Sequence, residues 1–284
     1  MYDHTDTDRN ACAESIKLIL SDIDGTILPY GKTTVSQTCR DAFHAALDAG
    51  IRIGPASGRA AVLAYPVFDG DTACCRTALA TNGMEIYLDG SLIHQACIAR
   101  EHIVALADAV RDIEGCGLVC FDGAVPLVVE GSIEDLGKSF PAYAPVARYI
   151  DDVPHKPIVK VNVFTPADID ATREVLEHLR TRVTALDYSL PHPGFVNMTP
   201  RGWNKGEAVT FLCRALGIGL EQVVVFGDAN NDIEMLSAVP NSVAVASATA
   251  DAKAAARWHI GPVEEDAVPH AIAAIARGEW PFTA

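Results

Sequence analysis

The architecture of this chain can be worked out from residues 17–26, which read KLILSDIDGT. The apolar run Lys17–Leu20 has the length of a strand, and two carboxylates, Asp22 and Asp24, follow it directly. A short apolar run that opens into polar residues is typical of a buried strand in a parallel sheet. Gly25 permits a sharp turn, so one carboxylate can face a ligand while the other reaches a different part of it.

Strand-like and helical segments alternate on both sides of this run. Further apolar runs of strand length lie at Ile51–Ala56, Ala78–Thr81, Val223–Phe226 and Val243–Ala246. Helical patterns lie at Thr38–Ala49, Lys205–Leu216, Ile233–Ala238 and Asp266–Arg277. This rhythm predicts an α/β fold, a Rossmann-like parallel sheet covered by helices.

The middle of the chain has a different pattern. Two amphipathic helices are predicted at Glu101–Ile113 and Asp168–Arg182, with strand-like segments at Leu127–Glu130 and Ile158–Phe164. These segments could continue the first sheet, but the parallel rhythm resumes only after them. We therefore predict an inserted α+β module.

The predicted boundaries follow from this change of pattern. We expect a loose tail at residues 1–15, a core domain at 16–84 and 190–284, and the inserted module at 85–189.

Composition limits the partners. The formal net charge is −15 and the pI is near 4.9, which disfavours nucleic acid and anionic membranes because both need a basic surface. The first residues lack the basic start and apolar run of a signal peptide, and no stretch has the length of a transmembrane helix. We expect a cytoplasmic protein.

The cysteines do not suggest a metal site. None of the eight forms the paired spacing of a zinc site. In a chain of this size without a secretion signal, reduced and mostly buried thiols are expected.

Three more polar signatures each lie beside a strand-like run or a predicted helix. They are SGR at 57–59, NKGEA at 204–208 and GDANND at 227–232. Each alone has an ordinary explanation as a turn or a solvated lysine. Because ligands of open parallel sheets bind at the carboxyl ends of strands, we expect these signatures to lie together.

Clustered carboxylates repel one another and need a cation. An EF-hand calcium loop would need more oxygen ligands and a later glutamate, and the sequence lacks both. Hard oxygen ligands beside a phosphate suit Mg²⁺, which needs only one or two carboxylates.

Taken together, DIDGT at 22–26 and the three later signatures resemble the haloacid dehalogenase (HAD) superfamily of aspartate-nucleophile phosphotransferases. TNGM at 81–84 and NSVAVA at 241–246 are similar to its Cof-type branch, subfamily IIB. The resemblance covers about residues 16–275, and it likens the inserted module to the cap domain of that branch.

The resemblance implies the catalytic and metal roles. Asp22 would attack phosphorus and form an aspartyl-phosphate, and Asp24 would protonate the leaving alcohol and then activate water. Mg²⁺ would bind the Asp22 carboxylate, the Asp24 carbonyl and the Asp228 carboxylate.

The resemblance also implies how the phosphate is held, and Asp232 would orient Lys205. The phosphate-binding residues would be Ile23, Ser57, Gly58, Lys205 and Asn231.

The predicted activity is a Mg²⁺-dependent phosphomonoester hydrolase acting on a small phosphorylated metabolite, a sugar phosphate or a phosphorylated cofactor. A phosphomutase would share the paired aspartates but return the phosphoryl group to a substrate. A non-catalytic phosphate-binding module would show no turnover with any phosphate ester.

Overall fold

The computed structural model describes residues 12–283, with the backbone alone at 191 and 192. The chain forms two compact units. The core unit contains the chain up to His94 and again from Asn204, and the cap unit is Gln95–Trp203.

Fourteen strands and nine helices that lie wholly within the described residues, numbered in chain order, make up the two units. The strands are β1 (Leu18–Ser21), β2 (Arg52–Pro55), β3 (Ala78–Ala80), β4 (Glu85–Leu88), β5 (Ser91–Gln95), β6 (Gly117–Asp122), β7 (Val125–Glu130), β8 (Arg148–Tyr149), β9 (Val161–Phe164), β10 (Leu186–His192), β11 (Phe195–Pro200), β12 (Val223–Gly227), β13 (Asn241–Ala244) and β14 (Trp258–His259). The helices are α1 (Gln37–Asp48), α2 (Ala61–Ala64), α3 (Arg100–Val110), α4 (Ile133–Ser139), α5 (Ile169–Arg182), α6 (Lys205–Leu216), α7 (Ile233–Ala238), α8 (Ala250–Ala255) and α9 (Ala267–Ala276).

The core sheet is parallel, in the order β14-β13-β12-β1-β2. Every residue of β1 and β12 is buried, because each strand lies between two neighbours and carries apolar side chains on both faces. Leu18 lies opposite both Val223 and Arg52, so the two central strands end at the same edge. The predicted Rossmann-like sheet is confirmed.

The third predicted strand does not join this sheet along its length. Within the described part of the chain, β3 meets the segment after β2 through one isolated bridge, Ala56 to Leu79, where Ser57 N–H donates to the Leu79 carbonyl. Otherwise β3 pairs with β4 in a separate three-stranded sheet of order β3-β4-β5.

The predicted domain boundaries at residues 84 and 190 differ from the ends of the two units, which lie at His94 and Trp203. The segment after β3 stays in the core unit because β4 pairs antiparallel with β3 and continues into β5. The hairpin of β10 and β11 belongs to the cap unit because β11 pairs with β9. Of the predicted tail, residues 1–11 lie outside the described residues, and residues 12–15 are helical.

The cap unit contains one mixed sheet of order β10-β11-β9-β6-β7-β8. Its pairs are antiparallel except that of β7 with β8. The two predicted cap helices are present as α3 and α5, and the Asp168 side chain caps α5 by accepting from the N–H groups of Asp170 and Ala171. The predicted α+β module is therefore confirmed as a unit with its own sheet.

Two sequence expectations about the whole chain can be compared with the described residues. None of the described helices has the length and apolar character that crossing a membrane requires. All eight cysteines are free thiols, and six of them are buried.

Candidate active site

The carboxyl ends of β1, β2 and β12 carry most of the polar residues that the sequence singled out. Asp22 and Asp24 follow β1, Ser57 follows β2, and Asp228 follows β12. Lys205 is the first residue of α6, where the Asn204 side chain caps the helix by accepting from Glu207 N–H. The residues of all four signatures therefore reach the same edge of the core sheet.

The loop after β1 is a tight turn closed by one carbonyl. The Ile23 carbonyl accepts from the N–H groups of the three residues 26, 27 and 28. Gly25 lies in this turn with φ +86°, and a Cβ atom there would lie 2.4 Å from Asp228 Oδ2. Both the backbone conformation and the space require glycine at this position.

A buried lysine joins two of the acidic signatures. Lys205 Nζ donates to Asp22 Oδ1 at 2.7 Å and to Asp232 Oδ1 at 2.6 Å. The Lys205 side chain is 0% exposed, so these carboxylates supply the charge compensation that a buried ammonium needs. Burial alone would lower the pKa of Lys205, but the two carboxylates outweigh it and the pKa is raised.

The remaining oxygen of Asp232 is also occupied. Asp232 Oδ2 accepts from the N–H groups of Asp228 at 3.0 Å and Ala229 at 3.1 Å. These bonds hold the start of the GDANND loop and fix Asp232 against Lys205. Asp232 is fully buried, and its hydrogen bonds are suited to orienting the Lys205 side chain.

Asp22 keeps one oxygen available. Its Oδ1 accepts from Lys205, whereas its Oδ2 accepts no hydrogen bond from any described residue. Burial raises the pKa of Asp22 well above its usual value; Lys205 opposes this shift, and the nearby Asp232 and Asp228 add to it.

Asp228 faces Asp22 from the end of β12. Its Oδ1 accepts from Thr26 Oγ1 at 2.9 Å, and Tyr30 Oη lies 3.5 Å from its Oδ2. Burial raises the pKa of Asp228 to about 6, and the charge of Asp232 raises it as well.

These three aspartates form a group that can hold a cation. One carboxylate oxygen from each of Asp22, Asp228 and Asp232 lies within 4.8 Å of the others, and all three residues are buried. Three carboxylates surround the single ammonium of Lys205, so a divalent cation would balance the excess negative charge. Asp232 is tied to Lys205 and to two backbone N–H groups, whereas Asp228 accepts only from two hydroxyl groups and Asp22 Oδ2 accepts from no described residue. Asp22 and Asp228 are therefore the candidate metal ligands.

Asp24 does not join this cluster through its side chain. Its carboxylate is paired with Arg59, whose Nε lies 2.9 Å from Oδ2 and whose Nη2 lies 2.6 Å from Oδ1. The pair connects the DIDGT loop with the SGR turn, the first and second signatures.

The SGR turn is fixed from both sides. Ser57 is buried, and its hydroxyl accepts from Arg59 N–H at 3.2 Å. A Cβ atom on Gly58 would lie 3.1 Å from Asn82 Oδ1, so the Asn82 side chain covers this turn closely. Asn82 Oδ1 also accepts from Asn231 Nδ2 at 3.2 Å, which links the second and fourth signatures.

The backbone beyond β3 is strained where it meets this turn. Thr81 and Asn82 have φ of +53° and +56°, a conformation that is rare for a β-branched residue. Thr81 N–H donates to the Arg59 carbonyl and Asn82 N–H to the Ser57 carbonyl, at 2.8 and 2.9 Å. Strain of this kind persists where surrounding bonds fix it and is common at functional sites.

Four residues of this site were given no role in the sequence analysis. Thr26 and Arg59 stand inside quoted motifs, and their side chains could have been considered there. Asn82 stands in the TNGM segment that only supported the family resemblance. Tyr30 stands outside every quoted motif and therefore carries no sequence signal.

The comparisons with known proteins agree with this geometry. The sequence model of the haloacid dehalogenase-like hydrolases matches residues 19–272. The chain is 28% identical over 245 residues to a phosphoglycolate phosphatase of Pyrobaculum islandicum, which covers 85% of this chain and 87% of that protein. It is 25% identical over 283 residues to the 5-amino-6-(5-phospho-D-ribitylamino)uracil phosphatase of Escherichia coli, covering 94% and 99% of the two chains.

Solved structures share the fold. A sugar phosphatase of HAD subclass IIB superposes with a TM-score of 0.75 at 24% identity, covering 90% of this chain and 97% of the other. A HAD phosphatase from Bacteroides thetaiotaomicron superposes with a TM-score of 0.80 at 23% identity, covering 92% and 96%.

Two predictions are therefore confirmed: the resemblance to the HAD superfamily with a subclass IIB fold, and the enzyme class, a HAD-type phosphatase. The family match extends over most of the chain and includes all four signatures. This chain belongs to the haloacid dehalogenase-like hydrolases.

Proposed function

We propose that this chain is a Mg²⁺-dependent phosphomonoester hydrolase that works through an aspartyl-phosphate on Asp22. The observation that carries the proposal is the state of the Asp22 carboxylate. It is buried, one oxygen is fixed by Lys205 at 2.7 Å, and the other is free of hydrogen bonds from the described residues. A fixed carboxylate with one available oxygen is suited to attack phosphorus.

The proposed reaction has two steps. Asp22 attacks phosphorus, the bond from phosphorus to the ester oxygen breaks, and the proton carried by Asp24 passes to that oxygen. Water then attacks the phosphorus of the aspartyl-phosphate, the bond to the Asp22 oxygen breaks, and Asp24 takes the proton from the water. Two displacements replace a single difficult one.

The acidic cluster fits a magnesium ion. Asp22 and Asp228 would provide carboxylate oxygens and Asp24 its backbone carbonyl. When bound, Mg²⁺ neutralises charge on the transferred phosphoryl group, which is the main requirement of phosphoryl transfer. Two carboxylates and a carbonyl suit Mg²⁺ because it keeps several waters.

Positive and hydrogen-bonding groups around the free oxygen of Asp22 would hold the phosphate. Lys205 would neutralise the phosphoryl oxygens, with Asp232 fixing its position. The other proposed phosphate-binding groups are the Ile23 and Gly58 N–H groups and the Ser57 and Asn231 side chains. The bond from Asn231 to Asn82 supports this, because it keeps Asn231 beside the SGR turn.

The substrate is proposed only as a class. The relatives are named for phosphoglycolate and for a phosphorylated ribitylaminouracil, and one structural neighbour is a sugar phosphatase. These are small and chemically different phosphomonoesters, which supports a small phosphorylated metabolite, a sugar phosphate or a phosphorylated cofactor, as the substrate.

A panel of phosphorylated metabolites, assayed for free phosphate with Mg²⁺, tests the proposal. We expect phosphate release with at least one small ester and its loss when the metal is chelated. Asp22→Asn should abolish release while the thermal unfolding transition remains cooperative. Phosphoryl transfer to a second metabolite without net phosphate release would instead indicate a phosphomutase, and no turnover on the whole panel would indicate a binding module.

A further inference from the structure

The ion pair of Arg59 with Asp24 has a geometry that ordinary surface pairs lack. Both carboxylate oxygens of Asp24 accept from the guanidinium, at 2.9 and 2.6 Å. Two parallel bonds fix the plane of a carboxylate as well as its position. A lysine in place of Arg59 would supply a point charge and would leave the carboxylate free to rotate.

The backbone of Arg59 is held as firmly as its side chain. Its N–H donates to Ser57 Oγ at 3.2 Å, and its carbonyl accepts from Thr81 N–H at 2.8 Å. Thr81 adopts φ +53°, so a strained turn anchors the residue that holds Asp24. The guanidinium therefore projects from a fixed point toward the DIDGT loop.

We propose that Arg59 is the positioning residue of Asp24. It holds the carboxyl group in the orientation from which Asp24 protonates the leaving oxygen and receives the proton of the attacking water. This inference rests on the proposed function, because it concerns the acid–base role of Asp24. When one carboxyl oxygen of Asp24 carries the proton, its bond to the guanidinium is lost. The bond to the second oxygen then keeps the carboxyl group in its orientation.

Two other roles for Arg59 lead to different kinetics. A pair that only stabilises the fold, with side chains 35% and 44% exposed, contributes little because solvent screens it, and its loss would not slow one substrate more than another. A guanidinium that binds the substrate phosphate would change KM for every phosphate ester alike.

The leaving group separates these roles. An alkyl phosphate releases a basic alkoxide and depends on a general acid, whereas p-nitrophenyl phosphate releases a weakly basic phenolate and hardly needs one. General acid catalysis contributes about 10²–10⁴-fold in rate. Loss of a correctly placed acid should therefore slow the alkyl ester far more than the nitrophenyl ester.

The experiment measures kcat and KM for Arg59→Met, Arg59→Lys and Asp24→Asn on both esters with Mg²⁺, after thermal unfolding has shown that each variant folds. For Arg59→Met we expect kcat to fall about 10²-fold on the alkyl phosphate and only a few-fold on p-nitrophenyl phosphate, with KM nearly unchanged. Asp24→Asn should show the same pattern more strongly, and Arg59→Lys should recover part of the loss.

Arg52 provides the matched control. It also forms a two-bond pair with an aspartate of the core unit, Asp89, at 3.3 and 3.1 Å. Arg52→Met removes a comparable pair that lies outside the proposed site, and it should match the wild type on both esters.

The outcomes distinguish the inference from the function on which it rests. If Asp24→Asn discriminates between the esters but Arg59→Met slows both equally, or raises KM for both with kcat unchanged, the positioning role of Arg59 is wrong. If Asp24→Asn itself slows both esters equally, the acid–base role in the proposed function fails, and the role of Arg59 fails with it.

Discussion

Lys205 bonds to Asp22 and Asp232, Asp228 lies beside them, and the three carboxylates use their oxygens differently. Asp232 accepts from Lys205 and from backbone N–H groups, Asp228 accepts from the hydroxyls of Thr26 and Tyr30, and Asp22 has one oxygen free of hydrogen bonds from the described residues. Of these three aspartates, Asp232 therefore supports Lys205, whereas Asp22 and Asp228 are the candidate metal ligands. The sequence could identify all three as acidic residues at strand ends. It could not reveal how the oxygens are shared, because that depends on distances between segments about 200 residues apart.

The raised pKa of Asp228 makes metal binding dependent on pH. Burial raises this pKa to about 6 in the metal-free protein, and a ligating carboxylate needs to be deprotonated. Below about pH 6, protonation of Asp228 should lower the Mg²⁺ affinity by up to about tenfold per pH unit. Calorimetric titration of Mg²⁺ between pH 5 and 8 measures this. An affinity independent of pH in that range would contradict Asp228 as a ligand.

Lys160 in the cap unit supplies a test of a half-buried charge. Its Nζ lies 4.7 Å from the Phe121 ring centroid and donates to Tyr143 Oη at 3.3 Å, and no described carboxylate pairs with it. Burial lowers the pKa of Lys160 to about 8. Between pH 8 and 10.5 the folded protein therefore binds fewer protons at Lys160 than the unfolded chain does. The charge of Lys160 thus destabilises the folded state fully below about pH 8, and this destabilisation shrinks as the pH rises toward 10.5.

Lys160→Met should consequently raise the thermal unfolding midpoint at pH 7, with a gain that shrinks toward pH 10. The cation–π contact it removes is worth about 0.5–2 kcal/mol, and the lowered pKa indicates that desolvation outweighs it. Lys156→Met removes an exposed lysine paired with Asp122 and serves as the control, with little change expected. A lower midpoint for Lys160→Met at pH 7 would show that the aromatic contacts dominate.

At the scale of elements, buried parallel strands were the most predictable part of the fold. Apart from Ser21 at the end of β1, the side chains of β1 and β12 are apolar because both faces are covered, and this pattern is visible without any contact information. The hairpin of β4 and β5 lies in the core unit, whereas the predicted boundary at residue 84 places it in the inserted module, because β5 is mostly exposed and its sequence resembles a connecting segment. Its membership in the core depends on pairing with β3, which a local pattern does not encode.

Gly54 in β2 should tolerate no side chain. A Cβ atom there would lie 1.6 Å from the Thr77 carbonyl oxygen, and a backbone atom cannot rotate away. We expect Gly54→Ala to lower the free energy of unfolding by about 3 kcal/mol or more, at the upper end of the cost of overpacking. Urea-induced unfolding measures the change.

Gly50 provides the control for that substitution. It has φ +77°, and a Cβ atom added there would meet no other atom within 4 Å, so Gly50→Ala introduces strain but no clash. The expected loss is about 1–2 kcal/mol. Equal losses at the two positions would contradict the close approach of β2 to the Thr77 segment.

At the scale of the whole molecule, an acidic protein is proposed to act on an anionic substrate. The sequence has 37 acidic and 22 Lys and Arg residues, and its net charge is −15. Lys205 and a bound cation would attract the phosphate locally, whereas the distant charges repel it. Local charges act over a few ångströms and are hardly screened, while the long-range field is reduced by salt.

Salt should therefore speed the capture of substrate. At saturating Mg²⁺, kcat/KM for a dianionic phosphate ester should rise as the ionic strength increases from about 10 to about 150 mM, because the Debye length falls from about 30 to about 8 Å. The value of kcat should stay constant. A kcat/KM that falls with salt would indicate that positively charged residues around the site attract the substrate.

Asp22 is proposed to carry the phosphoryl group during turnover, and this can be tested by chemical trapping. Borohydride reduces an acyl phosphate, so treatment of enzyme quenched during turnover converts a phosphorylated aspartate to homoserine, which peptide mass spectrometry locates. Homoserine is expected at position 22 in the wild type and not in Asp22→Asn. Homoserine at another aspartate, or phosphate release with position 22 unmodified, would contradict it.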